Sequence, residues 1–316
     1  MLRYTLLLLA LLSTYSMAAT PFESLSDIGQ YEVKEEDFVY AIVDGLELRA
    51  HSYRPVKTGD VPALVDVHGG AWNLYNRMAG ELYNKALASS GVYVLAVDFR
   101  QGPDFQHPLG SRDVAAAVRY LKTHAKQLAI NANQIGLVGS SSGGHLALLA
   151  GLKPNAKQHL GSPIVTSGSN TMDANNIDAS VAYIIALWPV SDPVYRYAYA
   201  KEVKRDELVQ YHNNYFGSDA AMQDASIQRV LKEELNQATK LPAVLVVQPG
   251  EDANIPRPMT FALLEALQNA KVDTDYLFYS GMPHAFGHRP SAATDDLIRA
   301  MRDYINRQLA KNTSID

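Results

Sequence analysis

The sequence predicts an α/β fold built on a mostly parallel, doubly wound sheet, and three features of its 316 residues lead to that prediction. Short apolar runs alternate with helical stretches, which is typical of strands joined by crossover helices. A leading antiparallel hairpin is indicated by alternation over Phe38–Val43, the turn pair Asp44-Gly45, and further alternation over Leu46–Ala50. The hydrophobic content of 47% is sufficient for a large core.

Strands and helices are predicted from these runs and from residue spacing. The strands after the hairpin are expected at Ala63–Val67, Val92–Val97, Ile135–Val138, Val181–Leu187, Ala243–Val247 and Tyr276–Tyr279. The clearest helices are expected at Val114–Leu128, whose apolar residues recur at helical spacing, and at Phe261–Ala270. This alternation predicts a parallel sheet whose strands are connected by helices.

Two stretches interrupt the alternation. Pro154–Ser180 is rich in Ser, Asn and Gly, whereas Asp192–Lys240 is helical in character and rich in tyrosine. The aromatic rings of the second stretch are able to line an acyl or aryl pocket, or simply to pack a surface insert, and both interpretations stay open. We therefore predict one domain over residues 19–316 with a small helical, cap-like insert at about 192–240.

Composition excludes several functional classes. The 28 basic and 33 acidic residues give a formal charge of −5, and no Lys/Arg block could neutralise a row of phosphates, so no nucleic-acid partner is expected. The chain contains 0 cysteines, which excludes disulfides, a thiolate nucleophile and Cys-ligated zinc. Nothing in the composition indicates an oligomeric state.

The first 18 residues have the pattern of a signal peptide. Arg3 precedes an apolar run over Leu6–Leu12, and the small residues Ser16 and Ala18 suit the −3 and −1 positions of a cleavage site. The apolar run is too short for an ordinary membrane span, so we expect an exported, periplasmic or secreted protein without stable membrane insertion. The alternative is an uncleaved membrane anchor.

Gly139–Gly143 has the sequence GSSSG, which fits G-x-S-x-G and lies between a predicted strand and the helix-like stretch His145–Leu152. In such a turn neither glycine has room for a side chain, and the central serine occupies a strained elbow at a helix N-terminus, which favours a developing negative charge. Ser141 is therefore the candidate nucleophile, although the pentapeptide alone also occurs in ordinary tight connections. His145 lies on the helix that leads away and is expected to be structural.

A second glycine-containing loop, His68–Trp72, directly follows the strand expected at Ala63–Val67. Its glycines allow backbone N–H groups to face inward, where they are able to bind an oxyanion. We assign the donors to the backbone N–H groups of Gly70 and Ala71, completed by that of Ser142 in the elbow. The alternative is a plain glycine turn at a strand end.

A serine hydroxyl becomes a good nucleophile only when a base takes its proton, and nucleophile, acid and base follow in that chain order in folds with this elbow. His284 and His288 follow the last predicted strand. We choose His284, which lies in a turn immediately past Tyr276–Tyr279. Their i, i+4 spacing could suggest a metal site, but Pro283 and Gly287 disfavour a helix and no H-E-x-x-H pattern is present, so no metal is expected.

The acid is expected after the strand at Ala243–Val247, where side chains emerge at the carboxyl edge of the sheet. We choose Asp252 over its neighbour Glu251, because alternate residues that leave a strand point to opposite sides. Asp66 and Asp98 precede the elbow in the chain, so both are interpreted as structural.

Together these residues resemble the α/β-hydrolase superfamily, specifically its esterase branch of hormone-sensitive-lipase-like and acetyl- and feruloyl-esterase-like serine hydrolases. The likeness covers most of the chain and rests on His68–Trp72, Val97–Arg100 with a helix starting near Asp113, Gly139–Ala147, Asp252 and His284. Ala71 stands where lipase-like members often have a third glycine, and Ser142 stands where many members have alanine.

The resemblance implies an α/β-hydrolase fold and the hydrolysis of a small-molecule acyl ester. It implies that Ser141, His284 and Asp252 act as a triad without any cofactor, and that Ser141 carries the acyl group before water removes it. Two other functions stay open: amide or formamide cleavage by the same triad, and a non-catalytic binding protein that keeps the fold.

Overall fold

The computed structural model of the chain describes residues 24–234 and 241–313. The predicted signal peptide, residues 1–18, lies outside the described residues, as do residues 235–240 at the end of the predicted insert. Across the two described ranges, no helix combines the length and the apolar character needed to cross a bilayer.

The core of the fold is a 10-stranded sheet. Its strands are β1 Val33–Val43, β2 Leu46–Pro55, β3 Val61–Val67, β4 Tyr93–Val97, β5 Ile130–Ser140, β6 Ile164–Ser167, β7 Asn170–Met172, β8 Tyr183–Leu187, β9 Ala243–Glu251 and β10 Thr274–Pro283. They lie in the order β10-β9-β8-β5-β3-β4-β2-β1-β6-β7.

Strand directions match the predicted architecture. β3, β4, β5, β8, β9 and β10 pair in parallel, whereas β1, β2, β6 and β7 pair antiparallel. Every residue of β3, β4 and β8 is buried, so both faces of the central sheet are covered. The turn pair Asp44-Gly45 joins β1 to β2 as expected. The predicted mostly parallel, doubly wound sheet with a leading antiparallel hairpin is therefore confirmed.

Helices cover the sheet, and four of them lie in the stretch between β8 and β9. They are α1 Glu81–Ala88, α2 Leu109–Thr123, α3 Ala125–Leu128, α4 Ser142–Leu152, α5 Pro193–Glu202, α6 Asp206–Phe216, α7 Asp219–Asp224, α8 Ile227–Arg229, α9 Arg257–Asn269 and α10 Ala292–Thr313. Short 3-10 turns at Lys157–His159 and Phe286–His288 and a π-helical turn at Val230–Glu234 accompany them. Helices α5 to α8 lie in the stretch that the sequence predicts to be helical, and we call them the insert.

Several predicted boundaries are wrong. The strand expected at Ile135–Val138 is β5, which begins earlier, at the buried Ile130, and then runs through four residues that are at least partly exposed and form no apolar run. The helix expected at Val114–Leu128 is α2 followed by α3, with a break at His124. The helix expected at Phe261–Ala270 is α9, which also begins earlier. Periodicity detects the apolar middle of an element and misses ends made of polar or small residues.

The stretch Pro154–Ser180 contains a hairpin that the sequence did not predict. β6 pairs with β7, and Ile164 of β6 pairs with Ala41 of β1, so the hairpin extends the antiparallel edge of the sheet. Ile164 is fully buried and Val165 is 7% exposed. Two apolar residues are too short a run to predict a strand.

Four loops leave the sheet at the carboxyl ends of β3, β5, β9 and β10. Because the carboxyl ends of parallel strands meet at one edge, this topology brings His68–Trp72, Ser141, Asp252 and His284 to the same side of the sheet. The chemistry-bearing loops of the chain are thus gathered by strand direction alone.

Candidate active site

Ser141 occupies the sharp turn between β5 and α4. Its backbone has φ 55° and ψ −118°, a conformation that residues with a Cβ rarely adopt. A Cβ on Gly139 would clash with the carbonyl group of Gly143, and a Cβ on Gly143 would clash with the carbonyl oxygen of Val67. The prediction that neither glycine has room for a side chain is therefore confirmed, and α4 begins directly after Ser141.

Ser141, His284 and Asp252 form a hydrogen-bonded row although they are far apart in the chain. His284 Nε2 lies 3.1 Å from Ser141 Oγ, and His284 Nδ1 lies 2.8 Å from Asp252 Oδ2. Asp252 Oδ1 accepts hydrogen bonds from the backbone N–H groups of Asn254 at 2.7 Å and Ile255 at 2.9 Å. A carboxylate held in this way requires the proton on Nδ1, which leaves Nε2 free to accept the serine proton.

The competing candidates lie elsewhere. Glu251 is exposed at the end of β9, and His288 Nδ1 donates to the backbone oxygen of Ala79 at 2.7 Å. Burial lowers the pKa of His288, which keeps this ring neutral. The geometry thus brings Asp252 and His284 to Ser141, and their roles in a reaction remain predictions.

The loop after β3 lies against the elbow. A Cβ on Gly69 would lie 3.3 Å from Ser141 Cβ, so the two backbones approach closely. Gly70, Ala71 and Trp72 have φ values of 108°, 51° and 61°, so two residues with side chains adopt a strained, left-handed backbone here. Such strain at a loop that faces a candidate nucleophile is typical of a functional constraint.

Ser142 connects this loop to the elbow. Its Oγ accepts a hydrogen bond from the backbone N–H of Trp72 at 3.1 Å. This bond joins the loop that contains Gly70 and Ala71 to the residue that follows Ser141, and the role of the backbone N–H groups of Gly70, Ala71 and Ser142 as oxyanion donors remains a prediction. The hydroxyl contact of Ser142 was missed, because sequence reasoning assigned only its backbone N–H a role.

Two buried histidines, His68 and His145, form hydrogen bonds with residues of the loop after β3. His68 Nδ1 donates to the backbone oxygen of Gly69 at 2.7 Å. His145 Nδ1 accepts from Trp72 Nε1 at 3.2 Å, and His145 Nε2 donates to the backbone oxygen of Ala225 at 2.8 Å. Burial lowers the pKa of His68 to about 4 and that of His145 to about 3, so both are neutral near pH 7. The expected structural interpretation of His145 agrees with these contacts.

Asp66 and Asp98 hold neighbouring segments together. Asp66 is buried and accepts hydrogen bonds from Tyr83 Oη at 2.9 Å and Asn84 Nδ2 at 2.6 Å. Burial raises the pKa of Asp66 to about 6. Asp98 pairs with the guanidinium of Arg77 at 2.8 Å. These contacts agree with the structural interpretation of both carboxylates.

Known proteins resemble the chain in sequence and in fold. The model of the BD-FAE family matches residues 52–267, which is well over half of the chain. The chain belongs to the BD-FAE family.

Curated relatives of this BD-FAE chain carry esterase names. Esterase LipC of Mycobacterium tuberculosis is 27% identical over 261 residues, which cover 80% of this chain and 60% of LipC. Carboxylesterase NlhH of the same organism is 26% identical over 192 residues, which cover 55% of this chain and 59% of NlhH. The matched part of the chain thus spans about 60% of the length of either relative.

Solved structures share the fold. An esterase from the archaeon Pyrobaculum calidifontis matches with a TM-score of 0.70 and 20% identity over 88% of this chain and 87% of that chain. The carboxylesterase EstE1, cloned from a metagenomic library, matches with a TM-score of 0.70 and 20% identity over 89% of this chain and 91% of that chain. The predicted α/β-hydrolase fold is therefore confirmed.

The insert of this BD-FAE chain packs onto Trp72, a contact that the sequence did not indicate. Tyr215 stacks on the Trp72 ring at 5.6 Å, and the rings of His212 and Phe216 meet it edge-on at 5.1 Å and 4.9 Å. Arg196 Cζ lies 5.9 Å from the same ring centroid. The insert therefore rests on the residue that ends the predicted oxyanion loop.

The i, i+4 spacing of His284 and His288 could suggest a metal site. Within residues 24–234 and 241–313, no group of three or more His, Asp or Glu side chains could hold a metal ion. The Nδ1 atoms of the two histidines have separate partners, a carboxylate for His284 and a backbone carbonyl for His288.

Proposed function

We propose that this protein is a serine carboxylesterase that hydrolyses small-molecule acyl esters through an acyl-enzyme on Ser141. The observation that carries the proposal is the hydrogen-bonded row of Ser141, His284 and Asp252, with distances of 3.1 Å and 2.8 Å. Such a row is the arrangement that nucleophilic acyl transfer requires. The esterase names of the relatives support the same reaction class.

The triad performs both proton transfers. His284 Nε2 takes the proton of Ser141 as the oxygen attacks the ester carbonyl carbon, and it returns that proton to the departing alcohol. Asp252 keeps the imidazole in the correct tautomer and stabilises its positive charge in between. Water then attacks the acyl-serine, His284 takes a proton from that water, and the free acid leaves as Ser141 regains its hydroxyl.

The loop after β3 and the elbow stabilise charge. When the carbonyl becomes tetrahedral, its oxygen carries a negative charge that the backbone N–H groups of Gly70, Ala71 and Ser142 bind. The bond from Trp72 to Ser142 Oγ, which ties this loop to the elbow, supports the assignment. Losing one donor of this kind costs roughly 100- to 1,000-fold in kcat in related chemistry. The strained backbone of the loop supports this role, because it holds the N–H groups in one orientation.

Replacement of the nucleophile tests the proposal. Ser141→Ala should reduce hydrolysis of 4-nitrophenyl acetate to nearly background while leaving thermal unfolding unchanged, because the change removes the attacking oxygen. Ser140→Ala is the matched control, since this neighbouring side chain is buried and lies outside the triad. A fluorophosphonate should label the wild type and Ser140→Ala but not Ser141→Ala.

The leaving group is tested in the same assay. The wild type should hydrolyse 4-nitrophenyl acetate faster than 4-nitroacetanilide, and faster cleavage of the anilide would replace the esterase proposal with an amidase. Undiminished turnover by Ser141→Ala would overturn the assignment of the nucleophile.

We also propose that the protein is exported, on the basis of the signal-like pattern of residues 1–18. The mature protein should then begin at Ala19 and be recovered from the periplasm or the medium. N-terminal sequencing of the recovered protein checks this, and an intact Met1 in the cytoplasmic fraction would contradict it.

A further inference from the structure

Arg196 of α5 is buried, and no carboxylate among the described residues forms an ion pair with it. Its side chain is 2% exposed, and neither Nε nor Nη1 has a hydrogen-bond partner among the described residues. A guanidinium carries five N–H donors and a permanent charge, so burying it unpaired is strongly unfavourable. A ligand that accepts hydrogen bonds from the guanidinium and carries a negative charge would offset this unfavourable burial.

Two other buried arginines show how this fold treats structural guanidinium groups. Arg100 donates from Nε and Nη2 to the carboxylate of Asp113 at 2.9 Å and 2.7 Å. Arg119 donates from Nε to the backbone oxygen of Ile177 at 2.9 Å and from Nη1 to that of His159 at 2.8 Å. Arg196 is equally buried, but neither a carboxylate nor a backbone carbonyl of the described residues accepts a hydrogen bond from it, so it is not held in the way that Arg100 and Arg119 are.

Helix α5, which carries Arg196, contacts both loops that border Ser141. On one side the Cζ of Arg196 lies 5.9 Å from the ring centroid of Trp72, whose backbone N–H is bonded to the elbow. On the other side, Tyr199 of the same helix donates to the backbone oxygen of Ala253 at 3.3 Å, so α5 lies on the loop that carries the proposed acid.

Within the described part of the chain, the acidic groups that act on Arg196 already have other partners. Burial lowers the pKa of Arg196 to about 10, with Asp252 acting in the opposite direction, so the group is still positive at neutral pH. Asp252 is engaged by His284 and by two backbone N–H groups. Arg205 and Glu207 pair with each other, and burial lowers the pKa of His212 to about 3, which keeps it neutral.

We propose that Arg196 binds a carboxylate of the substrate, so that the natural ester carries a free carboxylate in its acyl or its alcohol part. This inference rests on the proposed esterase function. A carboxylate matches the fork of a guanidinium and accepts two parallel hydrogen bonds from it. The carboxylate would also provide a negative charge next to Arg196, and the Trp72 ring would form an apolar wall beside the guanidinium.

Matched ester pairs test the proposal. For the acyl side, the 4-nitrophenyl monoester of glutaric acid is compared with 4-nitrophenyl pentanoate; for the alcohol side, 4-acetoxybenzoate is compared with its methyl ester. The wild type should show a higher kcat/KM for the anionic member of at least one pair. Arg196→Gln should reduce the anionic-to-neutral ratio by about 10- to 100-fold, mainly through KM, because a charge-assisted hydrogen bond is lost.

Two further variants separate recognition from packing. Arg205→Gln, which removes a partly exposed arginine near the same helix, should keep the wild-type ratio, and Arg196→Lys should retain part of it because the charge remains. Ligand-free Arg196→Met should unfold at the same or a higher temperature than the wild type, because it removes an unpaired buried charge. Glutarate should raise the unfolding temperature of the wild type but not that of Arg196→Met.

The results that would overturn carboxylate recognition differ from those that would overturn the esterase function. Equal kcat/KM values within both ester pairs, or a preference that persists in Arg196→Gln, would overturn carboxylate recognition and leave the esterase proposal intact. A marked fall in the unfolding temperature of Arg196→Met would assign Arg196 to packing on Trp72 and also overturn it. A wild type that hydrolyses no ester and resists fluorophosphonate labelling would overturn both proposals.

Discussion

The elbow and the insert meet at Trp72, and they are held by different kinds of contact. At the elbow, backbone atoms decide the geometry: Gly143 packs directly on backbone carbonyl groups of the strand β3 and its loop. In the insert, side chains decide it, because Tyr215 and His212 pack their rings on Trp72 and Arg196 lies above the same ring. Backbone contacts of the first kind tolerate almost no substitution, whereas side-chain contacts of the second kind can be exchanged.

This difference indicates that the elbow carries the proposed chemistry and the insert carries the proposed substrate recognition. The proposed chemistry of Ser141 depends on strand ends and a glycine turn, which any substrate of the fold would use in the same way. The proposed recognition by Arg196 depends on a helix that lies on top of these strand ends. Substrate preference could then change through the insert while the reacting groups stay in place.

The largest expected effect comes from the elbow. In Gly143→Ala the new Cβ would clash with the carbonyl groups of Val67 and His68, which cannot move without shifting β3. We expect a loss of at least about 3 kcal/mol in the free energy of unfolding, and loss of ester hydrolysis. Urea unfolding and the 4-nitrophenyl acetate assay measure both effects.

A control distinguishes the clash from a general intolerance of substitutions at glycine. Gly59 lies in an exposed turn with φ +84° and has no atom near the position of a Cβ. Gly59→Asn should therefore remain close to the wild type, because asparagine tolerates a left-handed backbone. Near-wild-type stability of Gly143→Ala would show that backbone contact does not define the elbow.

The elbow was also the region that the sequence predicted best. Gly139–Gly143 fits a local sequence motif, and the strand that precedes the loop His68–Trp72 is recognisable as an apolar run. Strand direction then determines that these segments meet, so chain order and position at a strand end were enough to choose Asp252 and His284.

The contacts of the insert could not be predicted in the same way. Arg196 and Tyr215 lie far from Trp72 in the chain, and tyrosine-rich helices look alike whether their rings face a pocket or a core. The bond from Trp72 to Ser142 Oγ was equally hidden, because it depends on the exact approach of two loops. Such information resides in tertiary packing and leaves no periodic pattern in the sequence.

A second, intermediate effect is expected from pH, because buried histidines lie where the two regions meet. Burial lowers the pKa of His68 to about 4 and those of His145 and His212 to about 3, against about 6.5 in an unfolded chain. Below pH 6.5 the unfolded state binds protons that the folded state does not, so stability present above pH 6.5 is lost as the pH falls. At pH 5, each of these histidines should lower the free energy of unfolding by on the order of 2 kcal/mol relative to its value well above pH 6.5.

One buried carboxyl group opposes this loss. The pKa of Asp66 is raised to about 6, so its folded form keeps a proton that the unfolded form releases, and its contribution grows as the pH falls below 6. The stabilisation from Asp66 offsets roughly the loss caused by one of the three histidines, so the free energy of unfolding still falls as the pH is lowered. Urea midpoints measured from pH 7.5 to 5 should fall steadily, and His212→Gln should reduce the slope. A flat profile would show that these rings are not held neutral at the boundary.

The smallest expected effect lies wholly within the insert. Asp192 caps α5, since its Oδ1 accepts hydrogen bonds from the backbone N–H groups of Val194 at 3.0 Å and Tyr195 at 3.1 Å. Asp192→Ala should lower the free energy of unfolding by about 1 kcal/mol, and Asp192→Asn, which can still accept these bonds, by much less. Because α5 carries Arg196, loosening its first turn should reduce the preference for an anionic ester more than it slows a neutral one. An equal loss for both esters would show that the elbow depends on the insert, and the two regions would then have to be treated as one unit.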